Sequence, residues 1–472
     1  MPQPRFSSLP TQGVMRLSDD SPDDAGRVRA AMNAAVSSAV PRGRWSRLAR
    51  LGSLATTVAG GMLAEGARQL AQGKRPRLSD MLLTPANARR VTQQLAQLRG
   101  AAMKVGQLLS MDAGDLLPPE LAAILAQLRS DARAMPKPQV LGVLQASWGA
   151  DWKQQFQQFH FTPVAAASIG QVHRALHVDG RMLAIKIQYP GVRESINSDV
   201  DNVATLLRVS GLLPKTLDLQ PLLAQAKRQL HDEADYLREG AYLARYGSLL
   251  ADDPSFLVPE LQADLTTPDV LAMSFVGGVP VEQMALASQA ERDHIAGLLI
   301  SLLFRELFEF RLLQTDPNFA NYRYDATSRQ LILLDFGATR PCKPALVKAF
   351  RRLLTGALAG DRRLMRAAAI SLGYFDAATQ EKHQSAVLAL FDIALEPLRH
   401  DGLFDFDQSD LALRLRDAGW VLGLDNEFWH IPPADVLFLH RKLGGLFLLA
   451  ARLKARVNVH QLFKSQPLAA AT

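Results

Sequence analysis

The stretch that decides the fold is Asp316–Gly337, DPNFANYRYDATSRQLILLDFG. Asp316 and Asn321 stand five positions apart, and an apolar segment then leads into Asp335, nineteen residues after Asp316. Transfer of a phosphoryl group needs metal ligands around the β- and γ-phosphates and a group that accepts a proton from the nucleophile. The order and spacing therefore predict that Asp335 and Asn321 bind the metal and that Asp316 takes the catalytic position.

A second pair of matches lies upstream of that stretch. The segment Ala165-Ala-Ala-Ser-Ile-Gly-Gln-Val172 follows the phosphate-loop pattern G-x-G-x-x-G-x-V of protein kinases, except that Ala165 and Ala167 replace the first two glycines. Fourteen residues after Val172, Leu183-Ala-Ile-Lys186 matches the V-A-I-K strand whose lysine reaches the nucleotide phosphates. The loop alone is a weak match, but its order with the strand and the downstream stretch predicts a kinase-like nucleotide site.

The lysine of such a site must be held by a glutamate on a helix. Glu233 and Glu239 are the candidates, in a helix predicted from Pro221 to Leu250. Six residues at about 100° each place the two glutamates on different faces, so at most one of them can pair directly with Lys186. Asp235 and Glu239 lie one turn apart and can share a face. The alternative is that these acidic residues are only a solvated helix surface.

The remaining pattern separates a strand-rich half from a helical half. Strands are predicted at Phe159–Val164, Val172–His177, Met182–Gln188, Leu257–Leu261 and Val270–Phe275, with an Asp-Gly turn joining the second and third and a pair formed by the last two. Gly277-Gly278 then forms a plausible hinge, and almost everything beyond it is helical apart from short strands at 322–324 and 331–334. Strands, hinge and helices in this order predict an α+β bilobal architecture.

The segment after Gly337 departs from the protein-kinase pattern. Ala-Thr-Arg-Pro-Cys-Lys runs directly into a helix predicted from Pro344 to Leu358, with no activation segment and no A-P-E motif. A protein kinase uses that segment as the platform for its peptide substrate. The acceptor of the γ-phosphate is therefore expected to be a small molecule, a lipid or water.

Length, cysteine usage and hydropathy narrow the class of protein. At roughly 150 residues per domain, 472 residues suggest about three units, and 48% hydrophobic with 21% charged residues is typical of globular proteins. The single cysteine, Cys342, excludes an intramolecular disulfide and favours a reducing compartment, by default the cytoplasm. The first 13 residues lack the apolar core of a secretory signal, and the longest uncharged apolar stretch, Leu51–Ala64, has 14 residues where a spanning helix needs about 20. We therefore expect no transmembrane helix.

Positive charge is concentrated near the N-terminus. Residues 41–107 carry twelve basic and two acidic side chains, a local charge of +10 that exceeds the +7 of the whole chain. With Trp45 as the only aromatic ring among them, an anionic membrane surface or lipid is a better expected partner than nucleic acid. Residues 45–72 fit an amphipathic helix that can lie on a membrane or pair with a copy of itself as a homodimer. A solvated helical face is the alternative.

At this point the sequence resembles the UbiB, or ADCK-like, family of atypical kinase-like proteins, which is linked to ubiquinone (coenzyme Q) metabolism. The resemblance covers about residues 45–457. It rests on Lys104-Val-Gly-Gln107 (K-x-G-Q), Ala165-Ala-Ala-Ser168, Lys186, Glu233-Ala-Asp235 with Glu239, Gln314-Thr-Asp316-Pro-Asn318 through Asn321, Asp335-Phe-Gly-Ala-Thr-Arg340, and His440-Arg-Lys-Leu-Gly-Gly445.

The resemblance implies roles for individual residues. Its K-x-G-Q helix is expected to fold across the cleft, where Lys104 and Gln107 take the space of a peptide substrate. ATP and Mg²⁺ are the implied ligands, with Lys186 and Glu239 as the ion pair, Asp316 as the catalytic residue and Glu233 close to the nucleotide or metal in a role left open. The remaining implied positions are the nucleotide-binding Ala165, Ala166, Ala167 and Ser168, and the metal ligands Asn321 and Asp335.

The predicted organisation follows from these assignments. We expect a mobile arm (1–40), a basic amphipathic membrane-facing helix (41–80), a helical K-x-G-Q extension packed over the cleft (81–150), a kinase-like N-lobe (151–276), a helical C-lobe (277–460) and a tail (461–472). The expected location is the cytoplasm, peripherally on the inner face of a membrane. Ubiquinone-biosynthesis proteins are further partners that the resemblance implies.

Three functions remain open from the sequence. The favoured one is an ATPase or atypical kinase whose turnover supports ubiquinone biosynthesis or related lipid metabolism. A pseudokinase scaffold that binds nucleotide without turnover is the first alternative, against which the intact Lys186, Asp316, Asn321 and Asp335 argue. A true protein kinase is the second, and the absent activation segment argues against it.

Overall fold

Two lobes face each other across a cleft in the computed structural model of the chain. The structure describes residues 98, 100–102, 104–106, 134–209, 220–423 and 432–466. The predicted arm, the amphipathic helix, most of the K-x-G-Q extension and Gln107 lie outside these residues. Among the helices that the structure describes, none is both long enough and apolar enough to cross a membrane.

The N-lobe is built on an antiparallel sheet with helices on its sides. Its elements are α1 (Lys137–Trp148), β1 (Phe156–Phe159), β2 (Ala165–Ala166), β3 (Gly170–His177), β4 (Met182–Gln188), α2 (Val192–Val209), α3 (Gln220–Ala234), α4 (Tyr236–Leu249), β5 (Phe256–Leu257) and β6 (Val270–Ser274). The sheet order is β1-β3-β4-β6, with β2 paired to β3, whereas β5 joins a sheet of the C-lobe. The β3–β4 hairpin turns at Gly180, whose φ of 92° lies in the left-handed region that glycine tolerates.

The C-lobe is mainly helical and carries short strands below the cleft. Its elements are β7 (Val279–Pro280), α5 (Gln289–Arg305), β8 (Leu312–Gln314), β9 (Tyr322–Asp325), β10 (Gln330–Leu333), β11 (Thr339–Pro341), α6 (Pro344–Ala359), α7 (Arg362–Leu372), α8 (Glu381–Ala394), α9 (Glu396–Arg399), β12 (Phe404–Asp405), α10 (Leu411–Gly423), α11 (Ala434–Arg452), β13 (Arg456–Val457) and α12 (Val459–Lys464). A single π-helical turn, Glu306–Phe310, follows α5. One hydrophobic core runs from Tyr236 in α4 through these helices to Val459.

The predicted α+β bilobal class is confirmed, and the two glycines of the expected hinge stand between the sheets. Gly277-Gly278 leads from β6 in the N-lobe sheet to β7, which pairs with β9 in the C-lobe. Gly278 has a φ of 73°, and a Cβ atom there would lie 2.8 Å from the carbonyl oxygen of Tyr324. A larger residue at this crossing would therefore force the strands apart.

Three element predictions were wrong in detail. The first strand is β1 at Phe156–Phe159, not Phe159–Val164, because its residues pair with the C-terminal half of β3. Phe256–Leu257 pairs in parallel with β10 and forms no ladder with β6. The chain is connected to β6 by a single bridge, from Leu261 to Met273. The helix expected from Pro221 to Leu250 is two helices, separated at Asp235.

The segment after Gly337 is as short as the sequence indicated. Thr339–Pro341 forms β11, which pairs antiparallel with β8, and α6 begins at Pro344. The predicted helix at Pro344–Leu358 is confirmed within one residue. No room remains between β11 and α6 for an activation segment.

Candidate functional site

Lys186 and Glu239 form an ion pair at the centre of the cleft. Lys186 lies on β4, the middle of the N-lobe sheet, and its Nζ is 2.8 Å and 2.9 Å from the two carboxylate oxygens of Glu239. Asp335 Oδ2 lies 3.7 Å from the same ammonium group. The residues predicted as the kinase-type pair are therefore in contact, with the carboxylate predicted as a metal ligand beside them.

The environment of this pair shifts both pKa values. Burial raises the pKa of Glu239 to about 7, because its side chain is 1% exposed and the negative charge of Asp335 adds to the effect against the attraction of Lys186. Burial alone would lower the pKa of Lys186, but the charges of Asp335 and Glu239 outweigh it and hold that pKa well above its usual value. Lys186 is thus a cation that faces the carboxyl groups of Glu239 and Asp335.

The break at Asp235 decides which glutamate reaches Lys186. Asp235 is the N-cap of α4, and its Oδ1 accepts a hydrogen bond from the backbone N–H of Arg238 at 3.0 Å. The interruption gives α4 its own axis, and Glu239 in its first turn points into the core, where it is buried. The expectation that only one of the two glutamates pairs with Lys186 is confirmed, and the solvated-surface alternative is wrong for Glu239.

Glu233, at the end of α3, binds a different lysine. Its carboxylate forms an ion pair with Lys104 and accepts a hydrogen bond from Ser168 Oγ at 2.7 Å. Lys104 is 4% exposed, so it is no surface lysine. The described residues of its helix pack on the alanine loop, where a Cβ on Gly100 would lie 3.0 Å from the carbonyl oxygen of Ser168. The K-x-G-Q segment, as far as the structure describes it, therefore lies in the cleft.

Asp316 lies in the C-lobe, on the loop between β8 and β9. Its Oδ1 contacts Arg441 Nη2 at 2.5 Å, and Asn321 Nδ2 donates to its Oδ2 at 3.2 Å and to its backbone oxygen at 2.8 Å. Burial would raise the pKa of Asp316, but the positive charges of Lys104 and Arg441 together with these hydrogen bonds hold that pKa below its usual value. Asp316 is therefore an ionised carboxylate at neutral pH.

Asp335 and Asn321 provide oxygen ligands that suit Mg²⁺. The side chain of Asp335 is 36% exposed, and its Oδ1 accepts the backbone N–H of Gly337 at 3.0 Å, which orients the carboxylate. Asn321 donates its Nδ2 to Asp316, so its amide oxygen is the atom available to a cation. A carboxylate and an amide oxygen are hard ligands of the kind Mg²⁺ prefers, and the residues therefore fit the ion.

The short segment after Gly337 is held by α3 and α4. Arg238 donates to the backbone oxygens of Gly337 at 3.0 Å and Thr339 at 2.6 Å, and Arg340 pairs with Asp232 at 2.5 Å. These contacts join the helix pair that carries Glu239 to the residues that follow Asp335. These contacts hold Glu239 and Asp335 in fixed positions relative to each other without an activation segment.

The alanine loop covers the cleft as a short strand. Ala165 and Ala166 pair with Val172 and Gln171 of β3, and the N–H of Ala167 donates to the carbonyl oxygen of Gly170 at 2.9 Å. Ala165 and Ala166 are exposed and Ala167 is half-buried, so this loop is accessible to a ligand. Gly170 permits a close crossing, since a Cβ there would lie 2.3 Å from the carbonyl oxygen of Ile187.

The sequence analysis missed the contribution of helix α11. Arg441 contacts Asp316, and the neighbouring Lys442 forms a buried ion pair with Glu306 at 3.1 Å. Both residues lie in the His440–Gly445 segment that carries the family resemblance, but the sequence analysis assigns them no role. The only available signal was a pair of basic residues in an apolar helix, and it does not reveal a partner 125 positions away.

Sequence comparison matches most of the chain to atypical kinases. The sequence profile of the ABC1 atypical kinase-like domain matches residues 127–369. "Atypical kinase COQ8, mitochondrial" of Saccharomyces cerevisiae is 39% identical over 432 residues, which cover 91% of this chain and 85% of the relative. "Atypical kinase COQ8B, mitochondrial" of Rattus norvegicus is 40% identical over 431 residues, covering 90% of this chain and 80% of the relative.

A solved structure shares the same arrangement. The protein Rv3197 of Mycobacterium tuberculosis, determined in complex with erythromycin, aligns with a TM-score of 0.56 and 26% sequence identity, covering 80% of this chain and 95% of that protein. The match extends the similarity from sequence to fold.

Proposed function

The chain belongs to the ABC1 atypical kinase-like family, to which the UbiB proteins belong, and from that premise we propose that it uses ATP and Mg²⁺ for phosphoryl transfer in the cleft between its lobes. The family resemblance predicted from the motifs is confirmed, and with it a kinase-like, nucleotide-binding domain. The finer assignments, namely Mg²⁺, the individual residues and the acceptor, are the proposal.

One observation supports the proposed phosphoryl transfer most directly. Lys186, bidentate on Glu239, lies 3.7 Å from Asp335, and Asp316 with Asn321 completes the same cleft from the other lobe. These two groups of residues carry the charges that phosphoryl transfer requires, which supports the proposal. A scaffold that only bound nucleotide would have no need of an ionised Asp316.

Each side chain then has a defined task. Lys186 binds the phosphates and is kept in place by Glu239, while Asp316 accepts the proton of the attacking nucleophile. Asp335 and Asn321 would hold Mg²⁺, which supplies neutralisation of the charge on the β- and γ-phosphates. The backbone of Ala165, Ala166, Ala167 and Ser168 lies over the nucleotide, and Glu233 keeps Lys104, and with it the K-x-G-Q segment, in the cleft.

The proposed acceptor is a small molecule, a lipid or water rather than a peptide. Lys104 is buried between Glu233 and Asp316, in the region where a peptide would have to enter, and β11 runs into α6 without a peptide platform. Support of ubiquinone biosynthesis is the proposed biological role, because the motifs resemble that family and the chain is similar to the COQ8 proteins. Partners from that pathway and an anionic lipid surface belong to the same proposal.

The proposed location is peripheral, on the inner face of a membrane. The relatives named above are mitochondrial proteins. If this chain is cytoplasmic, as expected from its single cysteine, the membrane that it contacts is a different one. Binding of the purified chain to vesicles with and without anionic lipid, measured by co-sedimentation at low and high salt, tests this part. Binding that is independent of lipid charge would contradict it.

Mg²⁺-dependent ATP hydrolysis by the purified protein tests the chemistry. Phosphate release is measured with and without anionic vesicles, beside Asp335→Asn and Lys186→Ala. Turnover that requires Mg²⁺ and is lost in Asp335→Asn supports the proposal. Tight nucleotide binding without turnover in every condition would replace it with the pseudokinase scaffold, and phosphate incorporated into added peptides would replace it with a protein kinase.

A further inference from the structure

Helix α11 touches the loop that carries Asp316 at three successive points. Arg441 contacts the carboxylate of Asp316, and Lys442 donates to Gln314 Oε1 and Tyr322 OH, each at 3.3 Å. One turn further on, a Cβ on Gly445 would lie 2.2 Å from Cγ of Pro317, so the helix backbone lies directly against the loop. The loop residues from 314 to 322 are therefore shaped by a helix more than a hundred positions downstream.

Arg441 has the geometry of a residue that orients a carboxylate. Its side chain is 9% exposed, and its Nη2 lies 2.5 Å from Asp316 Oδ1, while the other oxygen, Oδ2, accepts from Asn321 Nδ2 at 3.2 Å. Two donors on two different elements thus hold the two oxygens. A carboxylate held in this way cannot rotate without losing a hydrogen bond to a charged group, which is among the stronger kinds of hydrogen bond.

We propose that Arg441 is a positioning residue for Asp316, which fixes the direction of its carboxylate. The catalytic part rests on the proposed function, whereas the effect on the Asp316 carboxylate does not. Arginine suits this task because it remains charged at all relevant pH values and its planar group fixes the direction of its donors.

The anchoring of α11 explains why Arg441 can hold this position. Lys442 and Glu306 form an ion pair in which each side chain is only 1% exposed, and Tyr246 OH donates to Glu306 at 2.8 Å. Together with the close approach of Gly445 to Pro317, this pair prevents the helix from sliding along the loop. Arg441 is consequently presented to Asp316 from a rigid element.

The kinetic test compares Arg441→Met and Arg441→Lys with the unmodified protein in the Mg²⁺-dependent ATPase assay. We expect Arg441→Met to lower kcat on the order of tenfold with the KM for ATP within about twofold, because one of the two donors that orient the Asp316 carboxylate is lost. Arg441→Lys restores part of kcat. Arg362→Met is the control, because Arg362 lies on α7 and its side chain is 59% exposed. An unchanged kcat in Arg441→Met, or a loss in Arg441→Lys as large as that in Arg441→Met, would overturn the proposal.

A second measurement does not depend on turnover. The free energy of unfolding is measured at about pH 7.5 for the unmodified protein, Asp316→Asn, Arg441→Met and the double variant. We expect the loss of stability in the double variant to be smaller than the sum of the two single losses, because both single variants break the same contact. Additive losses would refute the assignment even if ATP hydrolysis were absent, and absent hydrolysis alone would refute only the proposed function.

Discussion

The protein contains two buried lysine–glutamate pairs of similar geometry and different surroundings. Lys186 and Glu239 are 2.8 Å apart, and Lys442 and Glu306 are 3.1 Å apart, with each glutamate 1% exposed. Around the second pair stand neutral partners, Tyr246 on the glutamate and Gln314 and Tyr322 on the lysine. Beside the first lies another carboxylate, Asp335, which is 36% exposed. The pair with neutral partners is suited to a structural role. The pair beside Asp335 has an excess of negative charge that suits a cation, and its ammonium group suits phosphates.

The largest effect is expected from breaking the supporting pair. Lys442→Met leaves Glu306 buried without its cation, and removal of one partner from a buried pair costs about 3–5 kcal/mol of unfolding free energy. Urea denaturation measures the loss. The variant Lys442→Met with Glu306→Gln serves as the control, because removing both charges should recover most of the stability. A loss below about 1 kcal/mol in the single variant would show that water reaches Glu306.

The site pair should respond in activity more than in stability. Lys186→Met is expected to lower ATP hydrolysis on the order of a hundredfold or more, since a charge aimed at the phosphates is lost. Its effect on unfolding should be smaller than that of Lys442→Met, because the side chain of Lys186 is 11% exposed, so that water can replace it, whereas that of Lys442 is 1% exposed. Phosphate release and thermal melts measure the two effects, with the 77% exposed Lys343 changed to Met as the control. Equal destabilisation by the two lysine variants would remove the distinction between the pairs.

The raised pKa of Glu239 predicts in which direction the free energy of unfolding changes with pH. A group whose folded pKa is raised from 4.5 to about 7 stabilises the fold at low pH, and that contribution is lost as pH rises through about 7. Compared with Glu239→Gln, the unmodified protein should therefore lose up to about 3 kcal/mol between pH 4.5 and pH 7.5. Denaturation curves across this range check it. A difference that stays constant with pH would mean that Glu239 remains ionised throughout.

The smallest expected effect concerns the hydrogen bonds by which Arg238 holds the segment after Gly337. Arg238→Ala removes two hydrogen bonds to the backbone of Gly337 and Thr339, at a cost of about 1–2 kcal/mol, and frees the segment after Asp335. Amide hydrogen exchange at 337–341 should increase. Arg245→Ala, at an exposed position on the same helix, is the control. Unchanged exchange in Arg238→Ala would show that β8 alone holds this segment.

Short-range patterns were predicted best. The β3–β4 hairpin, the direct connection into α6 and the contacts of Lys186 with Asp335 and of Asp316 with Asn321 agree with the sequence analysis. They depend on turn residues, apolar runs and fixed spacing, which are all local in the chain. The first strand and the pairing of β5 were wrong because strand partners are chosen by packing of distant segments rather than by local preference.

The choice between the two glutamates shows where sequence reasoning had to stop. Helical periodicity places Glu233 and Glu239 on different faces, but it does not say which of them faces Lys186. The answer depends on Asp235, whose side chain caps a new helix and turns its axis. A capping aspartate in the middle of an otherwise helical run is a signal that could have been used.

By itself the sequence determined the class of fold and the kinase-like domain, and it predicted Lys186, Asp316, Asn321 and Asp335 as site residues, because phosphoryl transfer requires particular side chains in an order that the chain preserves. Only the tertiary structure decided the partners of those residues. Glu239 on Lys186, Lys104 on Glu233 and Arg441 on Asp316 are contacts between segments 53, 129 and 125 positions apart. The physical reason is that such contacts depend on how whole helices pack, and packing is governed by shape and burial across the molecule, which no local pattern in the chain encodes.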